Sequence, residues 1–199
     1  MRLVVVSQRV DTVAAYGEAR DALDQRLSAF LLAGGCLPVP IPNTLHNGSE
    51  TPALSTWLAT IRPAGIVLSG GNDIGERPER NATELQLLEY AAASCLPVLG
   101  ICRGMQMLAH WAGTALVPVS GHVASRHWVN GLVKGETNSF HCLALAGCPR
   151  GFEILASSTD GTIEAIRHTS LPWEGWMWHP ERESILNPND IQRLKALMQ

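Results

Sequence analysis

The chain has 199 residues, 46% hydrophobic and 17% charged, which is enough for a sizeable core within one unit spanning 1–199. A formal net charge of −3 leaves no electrostatic footprint for nucleic acid, and no basic stripe is present. Five cysteines at irregular spacing suit a reducing cytoplasm better than a disulfide framework or a zinc site, and no apolar run has signal-peptide or membrane-spanning length.

Arg2 to Ser7 reads as a buried first strand, β-branched and too short for a helix. It delivers Ser7-Gln8-Arg9 to the carboxyl edge, where open α/β sheets place ligands and where Arg9 can meet an anionic group. Glu18 to Ala33 has Ala22, Leu23, Leu27, Phe30 and Leu31 at helical spacing, with Arg20, Asp21, Asp24 and Arg26 as a solvated face and Gly34-Gly35 as the stop. Leu37 to Ile41 is a proline-interleaved strand suited to a sheet edge. A loop over Pro42 to Pro52 and a short helix over Ala53 to Thr60 lead to a buried strand at Ala64 to Leu68. That strand runs into Ser69-Gly70-Gly71-Asn72-Asp73, whose glycines let backbone N–H groups approach a ligand. Asn81 and Glu84 have capping-box spacing and open a helix from Ala82 to Ser94.

The next stretch, Leu96 to Gln106, places Gly100-Ile101-Cys102-Arg103-Gly104 between a strand and a helix that runs to Trp111. This is the thiol counterpart of a nucleophile elbow, in which flanking glycines make room for a sharp turn and the helix N-terminus favours negative charge on sulfur and on an oxyanion. Beyond Trp111, glycines punctuate short β-like runs: 131–133, 142–145, 153–156, 162–166 and 174–178. They read as antiparallel strands extending a parallel sheet. Pro188 opens a last amphipathic helix with Ile191, Leu194 and Leu197 inward.

A thiol nucleophile needs a base held by a third group. Of the seven histidines (His46, His110, His122, His127, His141, His168 and His179), His179 ends an apolar strand, and Glu181 lies on the same side of an extended Trp178-His179-Pro180-Glu181 segment. No His/Cys/Asp pair has a recognisable metal spacing, so no metal is expected. Cys36, Cys95, Cys142 and Cys148 read as core or loop thiols. Trp173, Trp176 and Trp178 read first as core, with a nucleobase-stacking surface as the second reading.

The elbow, His179-Pro180-Glu181, Leu68 to Asp73 and Asn138-Ser139-Phe140-His141 together resemble the class I glutamine amidotransferase superfamily, in its peptidase C26 or γ-glutamyl-γ-aminobutyrate hydrolase-like branch. Ser7-Gln8-Arg9, Arg20 to Arg26 and Leu37 to Asn43 are similar to the narrower γ-glutamyl-CDP-amidate hydrolase group of capsule phosphoramidate biosynthesis. The resemblance implies a three-layer α/β sandwich of flavodoxin-like kind, with a mostly parallel central sheet and antiparallel extensions. By position it implies Cys102 as nucleophile, His179 as base, Glu181 as its orienter, and the N–H groups of Gly71 and Arg103 as oxyanion hole. Gly70, Asn72, Gln106, Asn138, Ser139 and His141 would line the glutamyl pocket, with Arg9 nearby. A γ-glutamyl thioester, no cofactor, a small-molecule partner and a cytoplasmic location follow; a homodimer stays open. Under the rival reading the chain is a glutaminase subunit feeding ammonia to a separate synthetase. Arg103, Arg126 and His127, with Arg9, are further candidates for a phosphate.

Overall fold

The computed structural model describes residues 1–46 and 53–199. Its frame is a nine-stranded sheet assembled from five parallel strands followed by four antiparallel ones. The parallel half is β1 (Arg2–Val6), β4 (Cys36–Pro40), β5 (Gly65–Leu68), β6 (Val98–Ile101) and β13 (Trp173–Trp176), in the order β4-β1-β5-β6-β13. The antiparallel half continues from β13 through β12 (Ile163–His168), β11 (Phe152–Ser158), β8 (Val123–Gly131) and β9 (Gly135–Phe140). The proline-bearing β4 takes the edge, where its missing N–H groups break no inner ladder.

Alternation along β1 sorts the core into two layers. Val4 and Val6 face α1 (Gln25–Ala33) and α5 (Pro188–Leu197), meeting Leu27, Phe30, Leu31 and Leu194. Val5 faces α2 (Ala53–Ile61), α3 (Pro78–Ser94) and α4 (Arg103–Trp111), meeting Leu58, Leu87, Met107 and Leu108. A period of two in the strands and 3.6 in the helices suffices to produce this three-layer arrangement. No helix among the described residues is long and apolar enough to cross a membrane.

Several expected elements change. Glu18–Ala22 is a strand, β3, paired antiparallel with β2 (Arg9–Val13) in a hairpin closed by Gly17 at φ 62°. The helix starts only at Gln25, where the Asp24 side chain accepts from the Arg26 N–H at 2.9 Å. Asp21 leaves the expected solvated face and holds Asn43 through two hydrogen bonds of 2.9 and 2.7 Å. α3 begins a turn before its expected start, at Pro78, and Glu84 is fully buried instead of capping. Of the 131–133 run, Gly131 ends β8 and 132–133 form a bend. Leu143–Leu145 forms β10, which pairs with β7 (Leu116–Pro118) in a separate ribbon and not in the main sheet. β13 is antiparallel to β12 but parallel to β6, so it joins the two halves. Of the expected 42–52 loop, Asn43–His46 is a 3₁₀ turn and 47–52 lie outside the described residues.

Candidate active site

The carboxyl ends of β1, β5, β6 and β13 converge on Cys102. β6 ends at Ile101 and α4 begins at Arg103, so this one residue makes the corner, at φ 51° and ψ −105°. An L-residue holds such a conformation only where its surroundings over-determine it. Here the Cys102 N–H donates to the Trp176 carbonyl at 2.7 Å, fastening the corner to β13. A Cβ on Gly100 would lie 2.6 Å from the Gly104 backbone, and one on Gly104 would lie 2.2 Å from the Leu68 carbonyl oxygen. Both flanking glycines are therefore required by close packing.

Burial pushes the Cys102 thiol up to about 12, while the Arg103 backbone N–H and the Arg182 charge pull it down. The helix terminus thus favours the thiolate, as expected, but desolvation outweighs it. A buried neutral thiol needs a proton acceptor to become a nucleophile.

His179 follows β13 and borders the same cavity as Cys102. Its Nδ1 lies 2.6 Å from Glu181 Oε1, and both side chains are buried. Glu181 reaches the ring because Pro180–Arg182 forms a 3₁₀ turn, not because the segment stays extended. Asn138 Oδ1 accepts from the His179 N–H at 2.9 Å and its Nδ2 donates to the His179 carbonyl at 2.8 Å. Gly70 packs on the ring, since a Cβ there would stand 2.6 Å from His179 Cε1.

The Ser69–Gly71 turn is held from behind by Arg80. That guanidinium donates to the carbonyls of Ser69 at 2.7 Å and Gly70 at 3.1 Å, and also to the carbonyl of Gly71. The peptide is trans, so fixing the Gly70 carbonyl toward Arg80 turns the Gly71 N–H the opposite way. Glu84 balances this charge: it lies 3.0 Å from Arg80 Nε and also contacts Arg103. The Arg103 side chain further donates to the Asn72 carbonyl at 3.1 Å and to Asn81. Its side chain is buried and taken up by Glu84, Asn72 and Asn81, while its backbone N–H faces Cys102.

Two cavities meet at this point, sharing Gly71, His179 and Arg182. The inner one, about 130 Å³, contains Cys102, Gln106 and His141. Gln106 Nε2 is held by the Leu143 carbonyl at 2.9 Å, leaving its buried Oε1 without a hydrogen-bond partner among the described residues. The outer one, about 280 Å³, is walled by Arg9, Asp11 and Asp24 from the β2–β3 hairpin and its exit. Arg182, beside the His-Pro-Glu run, was not singled out in the sequence; its guanidinium lies 4.8 Å over the Phe140 ring, beside both cavities.

Other expected pocket residues are engaged elsewhere. Asn72 lines the inner cavity while its side-chain amide pairs with Val10 (2.7 Å from its N–H, 3.2 Å to its carbonyl) and anchors the hairpin. Asn138 holds His179, and the buried Ser139 hydroxyl donates to the His122 carbonyl at 2.7 Å. Arg126 pairs with Glu136 and Glu183, while Arg9 pairs with Asp11 at 2.7 Å yet still borders the outer cavity. Trp173, Trp176 and Trp178 are all buried, and the last two stack on each other at 5.6 Å, so they offer no face to a nucleobase. Cys36 is a core thiol, and Cys95, Cys142 and Cys148 are exposed and unpaired by disulfide.

Residues 43–198 match the family described as glutamine amidotransferase class-I. The chain is 36% identical over 136 residues to the gamma-glutamyl-CDP-amidate hydrolase of Campylobacter jejuni, covering 65% of this chain and 67% of that protein. It is 29% identical over 145 residues to the glutamine-hydrolysing GMP synthase of Streptococcus thermophilus, covering 66% of this chain but only 27% of that longer protein. A solved glutamine amidotransferase from Thermotoga maritima shares the fold at a TM-score of 0.64 and 16% identity, over 99% of this chain and 93% of its own.

Proposed function

The chain belongs to the class I glutamine amidotransferases, and on that footing we propose that it hydrolyses the γ-glutamyl amide of a small molecule, releasing glutamate. Cys102 is the nucleophile. His179 takes the Sγ proton as the sulfur–carbon bond forms, then returns it to the departing nitrogen as the amide bond breaks. Water, deprotonated by His179, attacks the γ-glutamyl thioester and frees the thiol. Glu181, on Nδ1, leaves Nε2 for both transfers and stabilises the imidazolium between them. The N–H groups of Gly71 and Arg103 receive the tetrahedral oxyanion, with Arg80 fixing the first of them.

The observation that carries this reading is the pair of cavities meeting at His179, the inner one holding Cys102. The inner one suits a glutamyl group, with Gln106 Oε1 as a ready acceptor for its α-ammonium. The outer one takes the amine half, and Arg9 and Arg182 suit a leaving group bearing phosphate. The name of the Campylobacter relative agrees with such a substrate, a γ-glutamyl-CDP-amidate. A glutaminase supplying ammonia to a separate synthetase is the second reading, favoured by the GMP synthase relative, whose length is mostly outside the matched part. A cytoplasmic location would keep its five cysteines reduced.

Glutamate release by the purified chain decides between them. The panel holds L-glutamine, γ-glutamyl-γ-aminobutyrate and γ-glutamyl phosphoramidates of nucleotides, each run beside Cys102→Ala. Fast release from a phosphoramidate with glutamine poor is the expected result. Release from glutamine alone, rising when a synthetase is added, would replace the hydrolase reading with the subunit reading.

A further inference from the structure

Where β8, β9 and β12 come together, three imidazoles and a carboxylate converge in the core. Glu164 on β12 is fully buried, and neither of its oxygens has a hydrogen-bond partner among the described residues. Its neighbours are His122 Nδ1 at 3.3 Å from Oε1, His141 Nε2 at 3.5 Å from Oε1, and His127 Nε2 at 3.5 Å from Oε2. His122 Nδ1 and His141 Nε2 are themselves 3.2 Å apart. Among the described residues no Lys or Arg forms an ion pair with this carboxylate.

The hydrogen bonds around the rim assign the tautomers. His122 Nε2 lies 2.9 Å from Asp160 Oδ2, a carboxyl that is also held by the Ser158 hydroxyl and the Thr162 N–H. A carboxylate can only accept, so His122 donates from Nε2, which in the neutral ring leaves a lone pair at Nδ1. His141 Nδ1 lies 3.1 Å from the Leu143 carbonyl, which fixes its proton there and bares Nε2. With both rings neutral, two lone pairs face each other at 3.2 Å beside an unpaired carboxylate, an arrangement that repels itself unless a metal ion or an added proton lies between. A tetrahedral centre with bonds of about 2.0–2.1 Å sets its ligand atoms about 3.3–3.4 Å apart, the spacing found here. Imidazoles whose outer N–H is anchored by a carboxylate or a backbone carbonyl are the usual second layer of such a centre.

We propose that His122, His127, His141 and Glu164 bind a divalent transition-metal ion, with Zn²⁺ the best fit to four nitrogen and oxygen donors. His122 Nδ1, His141 Nε2 and Glu164 Oε1 form one face of the site. His127 Nε2, buried and without a hydrogen-bond partner among the described residues, stands on β8 3.5 Å from the other oxygen, Glu164 Oε2, and groups with His122 and Glu164 within 4.8 Å. Asp160 orients His122 from the solvent side, where half its side chain is exposed, and this gives an ion a way in. The ion is structural. It ties the start of β8, the end of β9 and β12 together, and β9 carries the Asn138 that grips His179. The sequence does not announce the site, because these ligands come from separate strands and meet only through antiparallel pairing.

The test uses the full chain without a histidine tag, purified free of chelators, with metal content measured by mass spectrometry and no reliance on turnover. On the order of one zinc per chain is expected. Stripping with dipicolinate should lower the unfolding midpoint by about 5 °C or more; Zn²⁺ should restore it and Mg²⁺ should not. Co²⁺ in place of Zn²⁺ should give the visible absorption of a four-coordinate centre. Asp160→Asn should weaken Zn²⁺ binding about 10–100-fold while the protein stays folded. Glu164→Gln should abolish binding; should that variant not fold, His127→Asn, at a position less buried than Glu164, should still weaken it. Protein that holds no zinc and whose midpoint ignores added Zn²⁺ would overturn the proposal, leaving a proton shared between His122 and His141. Zinc bound equally well by Asp160→Asn and His127→Asn would overturn it too, placing the ion elsewhere.

Discussion

Two buried charge clusters border the cavity around Cys102, Arg103 reaching it from one and His141 from the other, and they are balanced on opposite terms. Arg80, Glu84 and Arg103 set two permanent cations around one carboxylate, with the surplus donors taken up by backbone carbonyls. His122, His127, His141 and Glu164 set one carboxylate among three groups whose charge depends on what they hold. In the first cluster burial pulls both guanidinium groups down, but a guanidinium hydrogen-bonded to Glu84 and backbone carbonyls keeps its proton near neutral pH, as a turn that must aim an N–H requires. The second is complete only with a positive charge that the chain itself does not supply permanently. A fold can thus fix one wall of a site with arginine and leave the other to be set by a bound charge.

What lies between the clusters gives the largest expected effects. Cys102→Ala should abolish glutamate release, a loss of at least about 10⁴-fold, with an unchanged circular dichroism spectrum. Residual turnover near the parent rate would remove the corner from the chemistry and leave the two clusters as mere neighbours. Glu181→Gln keeps the size of the group but loses the charge on His179 Nδ1. It should lower kcat by about 10²–10⁴-fold with little change in KM. A higher KM at constant kcat would make Glu181 a binding group.

Next come the clusters themselves. Glu84→Gln leaves two buried guanidinium groups facing a neutral amide and should destabilise the chain by about 3–5 kcal/mol in urea unfolding, whether or not zinc is present. The cost of Glu164→Gln, by contrast, should shrink once the parent is stripped of metal. Equal dependence on zinc in both variants would erase the distinction between the clusters.

How much of this was legible in sequence follows from how local each constraint is. The Val4–Val6 run and the helix periods fix the layers, because burial of a strand or of a helix stripe is written in neighbouring residues. Cys102 was legible because a strained corner demands glycine on both sides within five residues. His179 and Glu181 were legible as a pair because they are two residues apart, though the 3₁₀ turn that joins them was not. Glu18–Ala22 was misread because Ala22, Leu23 and Leu27 keep helical spacing across a hairpin end and a helix cap. Glu84 imitates a capping box, since a carboxylate three residues after an Asn has the same spelling whether it turns back to the helix end or inward to two arginines. Asn138 and Ser139 lie in the right segment, but only strand pairing decides that their polar atoms serve His179 and His122 instead of the cavity.

The smallest expected effect uses a third buried carboxylate, one with neither arrangement. Asp190, in the first turn of α5, accepts from Trp178 Nε1 at 3.3 Å, and burial raises its pKa to about 6, with the nearby Arg193 charge too weak to offset it. Its folded pKa lies above the unfolded value of about 3.9, so the folded chain holds the extra proton between pH 4 and pH 6. Stability from this group is therefore full below pH 4, falls as pH rises to 6, and stays low above it. Asp190→Asn keeps an acceptor for the indole without the charge, which should flatten that slope and raise stability at pH 7. The gain should be about 1–2 kcal/mol, since losing a negative charge at a helix N-terminus costs about 0.3–1 kcal/mol. Urea unfolding of both proteins at pH 4 and pH 7 measures it. Curves that stay parallel would mean that Arg193 does compensate Asp190, as arginine compensates Glu84. Converging curves at pH 4 would confirm that a buried carboxylate here needs a full cation beside it, the condition Glu164 meets only with its ion bound.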